Sequence, residues 1–299
     1  MREDKKSSAA GDASEASTAA LDIEVIRPRP GWESVDWREL LRYRDLCFFL
    51  VLRDIKVLYK QTVLGFGWAV IRPVAMMVVF SVVFGGLAEV PSDDLPYTVF
   101  SFAAVVPWSY FQNATTMSIQ SLLTNAPMFT KVYFPRIVIP LTPVFASLVD
   151  FLIAFVILIL MMLWYGIYPT WNLVILPLFV LLMIMTAAGI GMWLSALAIQ
   201  YRDIKHAVPF LVQLLMYAAP VVWPASLIET KFPEHYELIR LVYGAYPMAG
   251  VVEGFRAALL GKIAIPWDLI GMGFLSSVFI LTTGLFYFRR KERIFADVY

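Results

Sequence analysis

The sequence predicts an all-α integral membrane protein, and three observations carry that prediction. Of 299 residues, 60% are hydrophobic and only 16% are charged, whereas about a quarter of the residues in ordinary soluble domains carry charge. The apolar residues fall in runs of about 20 or more, the length a helix needs to cross a bilayer. The short alternating pattern of a membrane barrel is missing, so helices must satisfy the backbone inside lipid.

The elements follow in chain order. Residues 1–31 are polar and end in Arg27-Pro28-Arg29-Pro30-Gly31; they hold too little apolar surface to offset ordering entropy, and a disordered cytoplasmic tail is expected. Met1 to Ala20 lacks the apolar core of a cleavable signal. From residue 32 to 64, Trp37, Leu40, Leu41, Leu46, Phe49 and Leu50 recur among Arg38, Arg42, Arg44, Arg53 and Lys56. That spacing predicts an amphipathic helix lying at the interface.

The membrane domain, 65–299, then reads as six transmembrane helices. Gly65 and Gly67 permit a turn into the first span, about Trp68 to Leu87. The second runs from about Pro96 to Leu123, and Pro107 inside it predicts a kink or break. The third is about Ile137 to Tyr165, the fourth about Trp171 to Ile199, and the fifth Ala207 to about Trp223. Between spans five and six, residues 225–261 mix charge with an apolar stretch too short to span. Short re-entrant or periplasmic helices are expected there. The sixth span, about Pro266 to Phe288, closes on the basic cluster Arg289, Arg290 and Lys291.

Lysine and arginine are frequent in the N-terminal helix, in Asn125 to Arg136, in Gln200 to His206 and at the C-terminus, and absent from 88–95 and 166–170. By the positive-inside rule both termini are cytoplasmic. The net charge of +1 argues against a strongly polybasic partner surface, nucleic acid included. A single cysteine, Cys47, excludes an intramolecular disulfide. No phosphate-binding loop occurs: Gly261-Lys262 is followed by Ile263. The two histidines, His206 and His235, fall on opposite sides of this topology, so metal and triad chemistry lack support. No catalytic residue or cofactor is expected in the chain.

Four groups of residues invite a function beside a plain structural role. Arg53, Lys56 and Lys60 share a helix face, with Arg72 beyond the turn; they suit a pyrophosphate headgroup or simple anchoring to anionic lipid. Asp150 lies deep in the third span, where a charge is expensive, and either proton coupling or a helix-packing hydrogen bond would account for it. Trp108, Tyr110 and Phe111 beside Pro107 suit a pore lining or ordinary packing. Glu253 and Arg256, spaced i, i+3, form an intrahelical ion pair or cap the outer end of a pathway.

Six segments together resemble a known family. They are Arg53 to Pro73, Asn125 to Arg136 (NAPMFTKVYFPR), Leu148 to Phe151, Gln200 to Gln213, Tyr246 to Gly261 and Tyr287 to Tyr299. In that order they resemble the membrane subunit of type-2 ABC exporters of polysaccharides: O-antigen, capsule and teichoic-acid permeases. The resemblance implies a homodimeric inner-membrane permease with two copies of a separate ATPase subunit, which carries ATP and Mg. It implies a cargo linked to undecaprenyl pyrophosphate, with Arg53, Lys56, Lys60 and Arg72 holding the headgroup. Asn125, Phe129, Lys131, Phe134 and Arg136 resemble the coupling region, with Arg202 and Asp203 a second contact to the ATPase. Segment 225–262 is similar to the short helices that close the channel outside.

Other readings stay open at this stage: export of a drug or small lipid, glycosyl transfer at Asp93 and Asp94, and proton-coupled transport through Asp150.

Overall fold

The computed structural model describes residues 41–60, 65, 67–125, 134–231 and 233–292. The expected tail, the first turns of the interface helix, Phe129 and Lys131 lie outside the described residues. Every regular element within them is helical. In order these are α1 (Arg44–Tyr59), α2 (Gly67–Phe80, continued by a π-helical stretch, Ser81–Leu87), α3 (Tyr97–Thr124), α4 (Val138–Ala146) and α5 (Leu148–Trp164). After a 3-10 turn (Trp171–Ile175) come α6 (Leu176–Gln200), α7 (Ile204–Ala218), α8 (Ser226–Lys231), α9 (Tyr236–Gly244), α10 (Pro247–Leu260) and α11 (Trp267–Glu292).

Four stretches are long and apolar enough to cross a membrane: Gly67–Leu87, Val138–Trp164, Trp171–Gln200 and Trp267–Glu292. The two other expected spans differ for identifiable reasons. Helix α3 has 28 residues, but Gln112, Asn113, Gln120 and several serines and threonines dilute its hydropathy. Helix α7 has only 15 residues. The break expected at Pro107 does not occur, since α3 runs on across it. The third span runs from Val138 to Trp164 across Ser147, whose backbone stays helical and donates to the Pro143 carbonyl at 2.9 Å.

Helix α3 is the hub. It packs against α2, α4, α5, α6, α7 and α10, and every residue from Val99 to Trp108 is buried. Helices α6 and α11 cross at two glycines. A methyl group added at Gly284 would stand 2.3 Å from the Gly189 carbonyl oxygen, and one at Gly189 would stand 2.7 Å from the Leu281 nitrogen. Small residues allow this backbone approach between helices in lipid. Thr186 and Ser277 share a buried hydrogen bond of 3.0 Å across the same pair.

Loops gather at two ends of the long helices. At one end the Arg136 guanidinium donates to the Glu292 carbonyl at 2.9 Å, and Lys291 donates to Gln200 at 3.3 Å. At the other, Ser226 donates to Asp93 at 3.2 Å and Lys262 to the Asp94 carbonyl at 2.9 Å.

Helix α10 is buried along its whole length. Its 14 residues rise only about 21 Å, short of a bilayer core. Gly261, at φ +66°, ends it in the left-handed conformation and donates to the Ala257 carbonyl.

Candidate functional site

A cavity of about 690 Å³ opens between α1 and α2 on one side and α3, α5 and α7 on the other. Asp150, near the start of α5, stands on its wall. The Tyr59 hydroxyl, at the end of α1, donates to that carboxylate. Across the cavity the Gln112 amide of α3 donates to Gln213 of α7 at 2.9 Å. Arg72 on α2 supplies a cation and lies over the Trp68 ring, 5.7 Å from its centre. Asn113, Tyr110 and Tyr217 complete the polar and aromatic lining. The chemistry on offer is one guanidinium, one hydrogen-bonded carboxylate, neutral amides and ring faces.

Of the four expected headgroup cations, Arg72 lines this cavity. Arg53 pairs with Asp54 at 2.8 Å and borders a narrow crevice with Asn125 and Thr142. Lys56 and Lys60 are exposed on α1 and its end. Tyr110 and Asp150 line the cavity, and the Tyr110 hydroxyl donates to the Val144 carbonyl at 3.1 Å. Trp108 and Phe111 do not line it; they pack together in the core, ring centres 5.4 Å apart. Among the residues expected to meet an ATPase, Phe134 is buried, Arg136 is tied to the end of α11, and Arg202 and Asp203 are exposed between α6 and α7.

Glu253 and Arg256 form a buried ion pair at 3.2 Å, with side chains 5% and 0% exposed. Arg256 also donates to the Val221 carbonyl at 2.7 Å and the Phe100 carbonyl at 3.2 Å, while Glu253 accepts from the Ala225 N–H at 2.8 Å. The pair therefore ties α10 to the start of α3 and to the segment after α7.

Sequence reasoning passed over Gln112, Asn113 and Gln213. Their signal was there: amides within long apolar helices seek partners, and a pair of them on two helices marks a contact. Trp68 carried no such signal before α2 was placed beside α3.

Comparison with known proteins fixes the family. The ABC-2 type transporter profile matches residues 45–260. The chain belongs to the ABC-2 type transporter family. This transporter is thus a multi-pass membrane protein. It is 28% identical over 220 residues to the O-antigen export system permease protein RfbA of Myxococcus xanthus, covering 74% of this chain and 82% of that protein. An RfbA of Klebsiella pneumoniae is 26% identical over 255 residues, 85% of this chain and 95% of the relative. The polysialic acid transport protein KpsM of Escherichia coli is 25% identical over 251 residues, 81% and 92% of the two chains.

Proposed function

We propose that this ABC-2 transporter is the permease subunit of an ATP-driven exporter of polysaccharide, carried as a lipid-linked pyrophosphate. One observation carries the reading on the structural side. The cavity beside α2 places a single guanidinium, Arg72, among neutral amides and aromatic rings. A guanidinium suits a diphosphate. Amides and ring faces suit the hydroxyls and apolar faces of sugars. The O-antigen export permeases and the polysialic acid transport protein that match most of this chain support a polysaccharide cargo.

The wider assembly belongs to the proposal. Six helices cross the inner membrane with both termini cytoplasmic, α3 and α7 joining the four apolar spans. Two copies form a homodimer, and two copies of an ATPase subunit supply ATP hydrolysis and its Mg. Arg136, two residues ahead of α4 and bonded to Glu292 at the end of α11, is one contact offered to the ATPase. Arg202 and Asp203 offer a second exposed contact.

The test is genetic and biochemical. Replacing the phosphate-binding lysine of the partner ATPase should trap finished, lipid-linked polymer inside the cell, with synthesis intact. Surface polymer at the normal level would overturn the proposal. Mass spectrometry of lipid co-purified with the chain separates cargoes: a drug or simple lipid without sugar would move the function to small-molecule export.

A further inference from the structure

A second cavity of about 280 Å³ lies at the far end of the bundle, where the loop after α2 meets α8, α9 and α10. Its polar wall consists of Asp93, Ser226, Tyr236, Arg240, Tyr243 and Glu253. The cleft grades from an exposed rim at Ser226 to a buried floor at Glu253.

Most of these groups are held by neighbours. Asp93 accepts from Ser226. The hydrogen bonds that Glu253 receives from Ala225 and Arg256 both fall on Oε1. Arg240 pairs with Asp268 and donates to the Tyr236 hydroxyl, and the Asp268 hydrogen bond holds the guanidinium pKa above its usual value. Tyr243 differs. Its ring stacks on Trp223, centres 5.7 Å apart, and its hydroxyl is buried without a hydrogen-bond partner. A buried hydroxyl left unpaired is costly, and of the unpaired buried groups among the described residues Tyr243 is the one on this cavity's wall, which points to a partner that arrives from outside.

The chemistry of the wall narrows what that partner is. An apolar ligand would leave the Tyr243 hydroxyl unmet. An anion would face two carboxylates, while Arg240 is already engaged by Asp268. A metal ion would find Asp93 and Glu253 beside two guanidinium groups, and no group of three or more histidine, cysteine or acidic side chains fit to hold an ion occurs among the described residues. A neutral polyol meets none of these objections. Its hydroxyls donate to the carboxylates and pair with the Tyr243 hydroxyl in either sense. The volume falls just under the roughly 300 Å³ lower end of sites for drug-sized ligands, which suits one ring and excludes an extended chain.

We propose that this cavity binds a single saccharide unit through its ring hydroxyls, with Tyr243, Asp93 and Glu253 as the recognising groups. The choice of sugar among polyols rests on the polysaccharide reading above; the site itself is separate from the cavity that holds Arg72. It gives the transporter a second grip on a glycan, at the end of the molecule away from the basic loops.

Saturation-transfer NMR on the full chain in lipid nanodiscs tests the proposal, with the methyl glycosides of galactose, mannose and rhamnose as probes. At least one should show transfer to its ring protons. Tyr243→Phe and Asp93→Asn should each weaken that binding by about 3- to 10-fold, the loss expected for one hydrogen bond. Thr124→Ala, at the exposed end of α3 and outside both cavities, should leave it unchanged. Tyr243→Phe removes only a hydroxyl without a partner, so its melting temperature should stay at or above wild type. No transfer with any probe, or equal transfer in Tyr243→Phe, overturns the site. Polysaccharide export scored separately keeps the two readings apart: export without glycoside binding defeats this site and leaves the exporter standing.

Discussion

The Arg256 guanidinium lies over the Phe100 ring, 3.6 Å from its centre, while its nitrogen donates to the Phe100 carbonyl. Both residues are fully buried. One side chain thus grips a neighbouring helix by its ring and its backbone, and holds Glu253 as well.

Removing that side chain strands a buried carboxylate. Arg256→Met should destabilise the protein by about 3–5 kcal/mol, the cost of breaking a buried pair from one side. Adding Glu253→Gln should recover part of the loss, because the stranded charge goes with it. Thermal unfolding of the purified chain in one detergent checks both. Arg256→Lys should recover less than charge alone suggests, since an ammonium cannot reproduce the planar fork that meets the Val221 and Phe100 carbonyls.

The crossing of α6 and α11 predicts a contrast between two glycines of the same helix. Gly284→Ala forces its new methyl against the Gly189 carbonyl and should cost about 1–3 kcal/mol by overpacking. Gly271→Ala meets nothing within 4 Å, and should be neutral or stabilise by up to about 1 kcal/mol through helix propensity. Equal melting temperatures for the two variants would show that the backbones do not touch.

Asp150 separates packing from proton coupling. The Tyr59 hydroxyl donates to its carboxylate, and an asparagine amide oxygen can accept the same bond. Asp150→Asn should therefore export close to the wild-type level in a surface-polysaccharide immunoblot, with or without an uncoupler. Export that falls in step with the proton gradient would restore the coupling reading. Tyr59→Phe should cost about 1.5–3 kcal/mol, the usual worth of a hydrogen bond to a charged group.

Arg72 should matter more than its neighbours on α1. Arg72→Ala should lower capture of a pyrophosphate-linked lipid by about 10- to 100-fold, as loss of a charge-assisted hydrogen bond predicts. Lys56→Ala, at an exposed position away from the cavity lining, should spare it. Quantifying co-purified lipid by mass spectrometry decides between them.

What the sequence made legible follows its periodicities. The boundaries of α6 and α11 came within a few residues because uninterrupted apolar runs end at Gln200 and at the Arg289 cluster. Pro107 does not break the helix, since tight packing around α3 carries it across. Spacing put Arg53 and Lys56 on α1 with Lys60 just past its end, but which cation meets the cavity depends on how α1 and α2 pack against α3 and α5. The Tyr59 to Asp150 contact joins residues 91 apart in sequence, and no local pattern carries such information. The amide pair was hidden for another reason: hydropathy registers that an amide is polar but not which helix it will face.

At Gly189 and Gly284 backbone meets backbone, with no side chains between to act as bearings. A joint of that kind resists sliding, so α6 and α11 travel as a single plank.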